Sequence, residues 1–88
     1  MQEQDFIIKN KLGLHARPAA LLVQCANKFK SKIKIVKEGQ EVDGKSIMGL
    51  MTLAASAGSS LKIIAEGEDE KEALDSIKKL IESGFGEE

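Results

Sequence analysis

The sequence contains neither tryptophan nor tyrosine, and it has one cysteine, one proline and one histidine. A single cysteine cannot form an internal disulfide, and the N-terminal residues lack the basic and apolar segments of a signal peptide. No apolar run approaches the roughly 18 to 20 residues that span a bilayer. One histidine and one cysteine without spaced partners define no metal site. These absences predict a cytoplasmic protein without membrane insertion, metal or cofactor.

The charges nearly cancel, since 13 basic and 14 acidic residues give a formal net charge of −1. This balance excludes a global attraction to nucleic acid. Five lysines lie close together in the sequence, but no aromatic side chains are interleaved with them, so we interpret them as a solvated face. They are Lys28, Lys30, Lys32, Lys34 and Lys37. With 88 residues, of which 42% are hydrophobic, the chain is expected to form one domain over residues 1–88.

Hydrophobic periodicity predicts four strands and three helices in the order βαββαβα. The strands are expected at 5–9, 31–37, 40–43 and 60–66, and the helices from 16 to about 27–30, at 47–53 and at 70–83. Asp69 and Glu72 form a predicted capping arrangement for the last helix, and residues 85–88 are expected to fray. Because each helix has one apolar stripe, the pattern favours an α+β fold with a four-stranded antiparallel sheet and the helices on one face.

Pro18 marks the start of the first predicted helix, because a proline in the first turn loses no intrahelical hydrogen bond. His15 therefore stands at a helix N-terminus, where backbone N–H groups and the helix dipole attract phosphate. Arg17 adds a planar, permanently charged group that binds phosphate. A lone histidine is most often a solvated loop residue, but this setting favours an imidazole that accepts a phosphoryl group.

Ser46 precedes a short apolar segment and is predicted to cap the second helix. Regulatory phosphorylation is the functional alternative for Ser46, with Lys45 placed to accommodate the added charge. Ile47, Met48 and Met51 have the spacing of core residues, yet a helix this short cannot bury every side. The side that carries Met48 is therefore a candidate partner surface beside His15.

Cys25 is the other residue whose chemistry could suggest catalysis. It lies in the middle of the first predicted helix, ten residues after His15. A thiol in that position is more often a small core residue than half of a Cys/His nucleophile pair.

Two motifs stand at a fixed separation, GLHARPA at 13–19 and KSIMGLM at 45–51. Together they resemble the HPr family, the histidine-containing phosphocarrier proteins of the bacterial phosphoenolpyruvate-dependent phosphotransferase system. The resemblance covers nearly the whole chain. It implies an open-faced β-sandwich in a phosphocarrier that is not itself an enzyme.

The resemblance also implies a relay in which enzyme I phosphorylates His15 on Nδ1 and an EIIA-type acceptor protein removes the phosphoryl group. Arg17 and the backbone N–H groups of Ala16 and Arg17 would hold the phosphate. Ser46 matches the site that HPr kinase/phosphorylase modifies in some members. A monomer is expected, and the partner docking surface carried over by position comprises Ala20, Gln24, Ile47, Met48 and Met51.

Two branches of the family remain open. Leu12 and the segments 53–55 and 83–85 are similar to the nitrogen-regulatory branch, NPr, whereas 45–49 is similar to members with a regulatory serine. His15 argues against the catabolite-repression homologue, which lacks this histidine. A noncatalytic α/β protein-binding module is the alternative from a different functional class.

Overall fold

The computed structural model describes residues 1–86 and has the predicted order of strands and helices. The strands are β1 (Gln2–Ile7), β2 (Lys32–Lys37), β3 (Gln40–Asp43) and β4 (Ser60–Glu66). The helices are α1 (Ala16–Ala26), α2 (Ile47–Thr52) and α3 (Glu70–Glu82), followed by a short 3-10 turn (Gly84–Gly86). Among residues 1–86, no helix is both long enough and apolar enough to cross a membrane.

The four strands form one antiparallel sheet in the spatial order β1-β4-β2-β3. Phe6 of β1 stands opposite Leu61 of β4, and Ile63 of β4 stands opposite Ile35 of β2. These side chains are buried, while lysines and acidic residues alternate with them on the other face of the sheet. The helices cover the apolar face, with α3 over β1 and β4 and α1 against both α2 and α3. The predicted α+β open-faced sandwich is confirmed.

The predicted boundaries of β1 and α1 are wrong by a few residues. β1 begins at Gln2 rather than at residue 5, because Gln2 pairs with Ala65 although the start of this edge strand has no apolar alternation. α1 ends at Ala26, one residue before the expected range. Phe29 therefore lies beyond the helix, where it still packs against the core from the connection to β2.

The predicted capping arrangement of α3 is also wrong. Asp69 occupies the N-cap position, but its side chain makes no capping bond within residues 1–86. Its carboxylate instead accepts hydrogen bonds from the Ser31 hydroxyl, from the Ser31 N–H at 2.9 Å and from the Lys30 N–H at 2.8 Å. Gly67 makes this approach possible, since a Cβ there would lie 2.6 Å from the Ser31 Oγ. Asp69 thus ties α3 to the connection between α1 and β2.

The C-terminal segment is ordered further than predicted. Phe85 was expected in a frayed tail, but its side chain is buried in the core with 3% of its surface exposed. Gly84 takes a positive φ of 66° and ends α3, and Phe85 follows in the same left-handed region. Burial of the phenyl ring offsets the cost of that backbone conformation. Glu87 and Glu88, the last two residues of the predicted tail, lie outside the described residues.

Candidate functional site

His15 is the residue from which α1 starts. Its backbone is extended, with φ −83° and ψ −169°, and its carbonyl accepts the first helical hydrogen bond, from the Ala19 N–H at 2.9 Å. The imidazole is half-buried and does not cap the helix within residues 1–86. The predicted position of His15 at a helix N-terminus is therefore confirmed.

The first turn of α1 presents two backbone donors. Pro18 is the third residue of the helix and has no N–H, and the Ala19 N–H is bonded to His15. The N–H groups of Ala16 and Arg17 are left at the positive end of the helix, where no intrahelical acceptor exists for them. Both residues are exposed, so an anion placed beside His15 can be reached by two amides and by the Arg17 guanidinium.

The loop before His15 is held by a second loop, residues 53–59. The Leu14 N–H donates to the Ala55 carbonyl at 2.7 Å, and Leu14 itself is buried. Gly13 has φ 71°, and a Cβ there would lie 2.5 Å from the Ala55 carbonyl oxygen. Only glycine fits this contact, so the conformation of the chain entering His15 is fixed.

Ser46 starts α2 as predicted. Its hydroxyl accepts a hydrogen bond from the Gly49 N–H at 3.1 Å, which satisfies one of the orphan donors of this helix. The side chain is half-buried, and the helix it caps packs against α1. The two predicted phosphorylation sites thus begin two neighbouring helices.

The predicted docking surface combines residues of α1 and α2. Ile47, Met48 and Met51 have the spacing of core residues, but they are exposed by 41%, 77% and 45%. Leu50 is the residue of α2 that is buried. On α1, Gln24 is exposed and Ala20 is half-buried. We call the five predicted residues (Ala20, Gln24, Ile47, Met48 and Met51) the docking patch.

Two lysines make contacts that the sequence did not indicate. The Lys45 ammonium donates to the Phe29 carbonyl at 2.8 Å, which ties it to the connection between α1 and β2. Lys37, predicted on a solvated face, donates to the carbonyls of Leu53 and Ala54 at 3.2 and 3.4 Å. It therefore closes the C-terminal end of α2. The other four lysines of this group are exposed, as predicted: Lys28, Lys30, Lys32 and Lys34.

Cys25 does not form a nucleophile pair with His15. Ten residues of helix separate them by about 15 Å along the axis. Burial raises the pKa of the Cys25 thiol, which disfavours the reactive thiolate. The described part of the chain also contains no group of three or more His, Cys, Asp and Glu side chains that could hold a metal ion.

Comparison with known proteins identifies the class that this fold and site define. The family model for the PTS HPr component phosphorylation site matches residues 2–83. The phosphocarrier protein HPr of Cupriavidus necator is 49% identical over 87 residues, covering 99% of this chain and 98% of that protein. The crystal structure of HPr-C-His from Thermoanaerobacter tengcongensis superposes with a TM-score of 0.97 and 56% identity, covering 100% and 99% of the two chains.

A third relative is Crh, the Bacillus subtilis catabolite repression protein, whose crystal structure shows a dimer with a swapped domain. It is 48% identical with a TM-score of 0.76, and the match covers 96% of this chain and 97% of Crh. The matches define a phosphocarrier rather than a catalytic enzyme. The chain belongs to the HPr family of the phosphotransferase system.

Proposed function

We propose that His15 is the phosphoryl acceptor of this phosphocarrier, receiving the group from phosphorylated enzyme I and passing it to an EIIA-type acceptor protein. The observation that carries the proposal is the geometry of the α1 start. The half-buried imidazole of His15 stands beside two backbone donors, those of Ala16 and Arg17, at the positive end of an 11-residue helix.

The chemistry is a transfer of one phosphoryl group between two proteins. The lone pair of the His15 Nδ1 forms the new bond to phosphorus while the bond from phosphorus to the donor breaks and its electron pair leaves with the donor. The return step exchanges these roles with the acceptor protein. The N–H groups of Ala16 and Arg17 and the Arg17 guanidinium stabilise the negative charge on the phosphoryl oxygens.

The docking patch supports a role for partner proteins in this transfer. Its two methionines are flexible and polarizable, and such side chains adapt to more than one binding surface. A carrier needs this property, because it must fit a donor and an acceptor in turn. We place the relay in the cytoplasm and expect the protein to work as a monomer, although Crh is a relative that forms a dimer.

Ser46 is proposed as a second, regulatory phosphorylation site, modified by an HPr kinase/phosphorylase. Its hydroxyl accepts a bond from Gly49, and phosphate oxygens can accept the same bond, so the modification leaves α2 in place. The added charge lies next to the docking patch and changes what can bind there. Ser46→Asp should raise the KM for enzyme I, whereas Ser46→Ala should not, and both variants should retain a cooperative thermal transition.

The named relatives favour the sugar-transport branch over the nitrogen-regulatory branch. The Cupriavidus and Thermoanaerobacter relatives are both HPr proteins, and Crh is named for catabolite repression and not for nitrogen regulation. The identity of the acceptor protein tests this assignment, and transfer of the phosphoryl group to a sugar-specific EIIA would support the sugar-transport branch. Transfer to a nitrogen-regulatory EIIA alone favours NPr, the alternative from the same class.

Labelling with phosphoenolpyruvate and purified enzyme I tests the proposed acceptor. We expect one acid-labile phosphoryl group per chain in the wild type and in Ser46→Ala, and none in His15→Ala. Label that persists in His15→Ala contradicts the proposal. Binding of a partner without any labelling of the wild type would support the noncatalytic binding module instead.

A further inference from the structure

Two polar side chains are almost completely buried in the described part of the chain, Asn10 with 2% and Ser31 with 1% of their surface exposed. Ser31 donates hydrogen bonds from its N–H and its hydroxyl to the carboxylate of Asp69, at the start of α3. Asn10 lies five residues before His15, in the loop that leads from β1 to α1. Buried polar groups are costly unless their hydrogen bonds are made, so each marks a place where geometry is fixed.

Asn10 closes the turn that ends next to Leu14. Its side-chain amide donates from Nδ2 to the Gly13 carbonyl at 2.7 Å, and its own carbonyl accepts from the Gly13 N–H at 3.1 Å. Asn10 therefore holds both backbone polar groups of Gly13. Its Cβ also lies near the C-terminal turn, 3.9 Å from where a Cβ on Gly84 would be. The turn is thus anchored to the body of the fold by one buried side chain.

A single residue, Leu14, connects the fixed backbone of Gly13 to His15. Leu14 is buried and its N–H is bonded to the Ala55 carbonyl at 2.7 Å, so its position follows from Gly13 on one side and Ala55 on the other. His15 comes next, and its carbonyl is already bonded within α1. The backbone that Asn10 holds consequently sets the position and direction of the Cα–Cβ bond from which the imidazole extends.

We infer that Asn10 is a positioning residue for phosphoryl transfer, acting through Gly13 and Leu14 on the orientation of the His15 imidazole. The inference rests on the proposed function of His15. Transfer between two proteins requires the accepting nitrogen in line with the breaking bond, and a misplacement of about 1 Å costs up to 10²-fold in rate. A residue that never touches the phosphate can therefore control kcat without changing how the partner binds.

The test compares Asn10→Ala with Ser31→Ala, a matched control that also removes a buried polar side chain but is remote from His15 in the hydrogen-bond network. Both are assayed as acceptors from phosphorylated enzyme I well below their unfolding midpoints, with folding verified by circular dichroism. We expect Asn10→Ala to lower kcat about tenfold with an unchanged KM. Ser31→Ala should keep kcat within about twofold of the wild type. Equal kcat values for the two variants overturn the inference.

A second readout does not depend on phosphorylation. His15 is the only histidine in the chain, so its ring signals in a proton–nitrogen NMR spectrum need no assignment. Asn10→Ala should shift or broaden these signals, and Ser31→Ala should leave them in place. If Asn10→Ala does not fold, Asn10→Ser takes its place in both measurements, and ring signals identical to those of the wild type overturn the inference. Failure to label His15 in the wild type would refute the proposed function separately, since the ring signals report position alone.

Discussion

The N-termini of α1 and α3 differ in the groups that surround them. At α1 the N-cap residue is His15, and the first turn contains the N–H groups of two exposed residues, Ala16 and Arg17. Pro18 removes the next donor, so the positive end of the helix is concentrated on two amides. This is the terminus that we propose binds the phosphoryl group.

At α3 the acidic side chains bind backbone and side-chain donors of the protein itself. Asp69 accepts three hydrogen bonds from Lys30 and Ser31, and Glu70 accepts one from the Gly67 N–H at 3.1 Å. Glu70 also forms an ion pair with the N-terminal amine at 3.0 Å. The carboxylates are thereby committed to holding α3 against the rest of the fold. Under the proposed function, the two termini differ because the carboxylates at α3 bind groups of the protein itself and stabilise the fold, whereas α1 binds a phosphoryl group supplied by another protein.

Replacing His15 should have the largest effect on phosphoryl transfer and little effect on stability. His15→Ala is expected to lose all phosphoryl acceptance, because the atom that forms the bond to phosphorus is gone. Its free energy of unfolding should stay within about 0.5 kcal/mol of the wild type, since the imidazole is half-exposed. Labelling with enzyme I and urea denaturation measure the two quantities. A large loss of stability would contradict the division of roles.

Replacing Arg17 should have a smaller effect on the same terminus. Arg17→Ala removes a charged donor from the phosphoryl group, and we expect a 10- to 100-fold slower transfer. Arg17→Lys keeps the charge but loses the planar fork, so its rate of transfer should fall between those of the wild type and Arg17→Ala. Single-turnover transfer from enzyme I provides the rates. A rate for Arg17→Lys equal to that of the wild type would show that the charge alone matters, and a rate equal to that of Arg17→Ala would show that the planar fork alone matters.

Replacing Ser31 should affect stability and leave transfer unchanged. Ser31→Ala removes the hydroxyl that bonds to the Asp69 carboxylate, and a hydrogen bond to a charged group contributes about 1.5–3 kcal/mol. Urea denaturation should show a loss of that size. Ser76→Ala, which replaces a half-buried serine of α3, serves as the control and should lose less.

The smallest expected effect is a pH dependence of stability that arises at α3. The Ser31 hydroxyl and the Lys30 N–H lower the pKa of Asp69 from 3.8 to about 2. Because the folded pKa is the lower one, the stabilising contribution of Asp69 is present above about pH 4 and is lost as the pH falls toward about 2. Asp69→Asn should therefore show a flatter decline of unfolding free energy across this interval. Asp75→Asn, an exposed aspartate of α3, should decline as the wild type does.

The order of elements and the position of His15 could be predicted because they depend on local patterns. Alternating Ile33 and Ile35, the cap at Ser46 and the proline at position 18 each act within a few residues. The resemblance of two motifs added the family, which the comparisons confirmed.

What could not be predicted depends on contacts between residues distant in the chain. Asp69 was assigned to its own helix, but Ser31, 38 residues away, provides a better partner for its carboxylate. Lys45 likewise reaches Phe29 rather than its neighbour Ser46. Asn10 carried no signal at all, because its role arises only when the turn it closes meets the loop around Ala55. Such choices are settled by tertiary packing.

Direct mapping of the phosphoryl group tests the central claim that the α1 start is the functional terminus. The protein is phosphorylated by enzyme I and phosphoenolpyruvate, digested at neutral to alkaline pH and analysed by tandem mass spectrometry. One phosphoryl group should be found, on His15, and it should disappear after acid treatment. A stable phosphoryl group on any other residue, with His15 unmodified, would contradict the account.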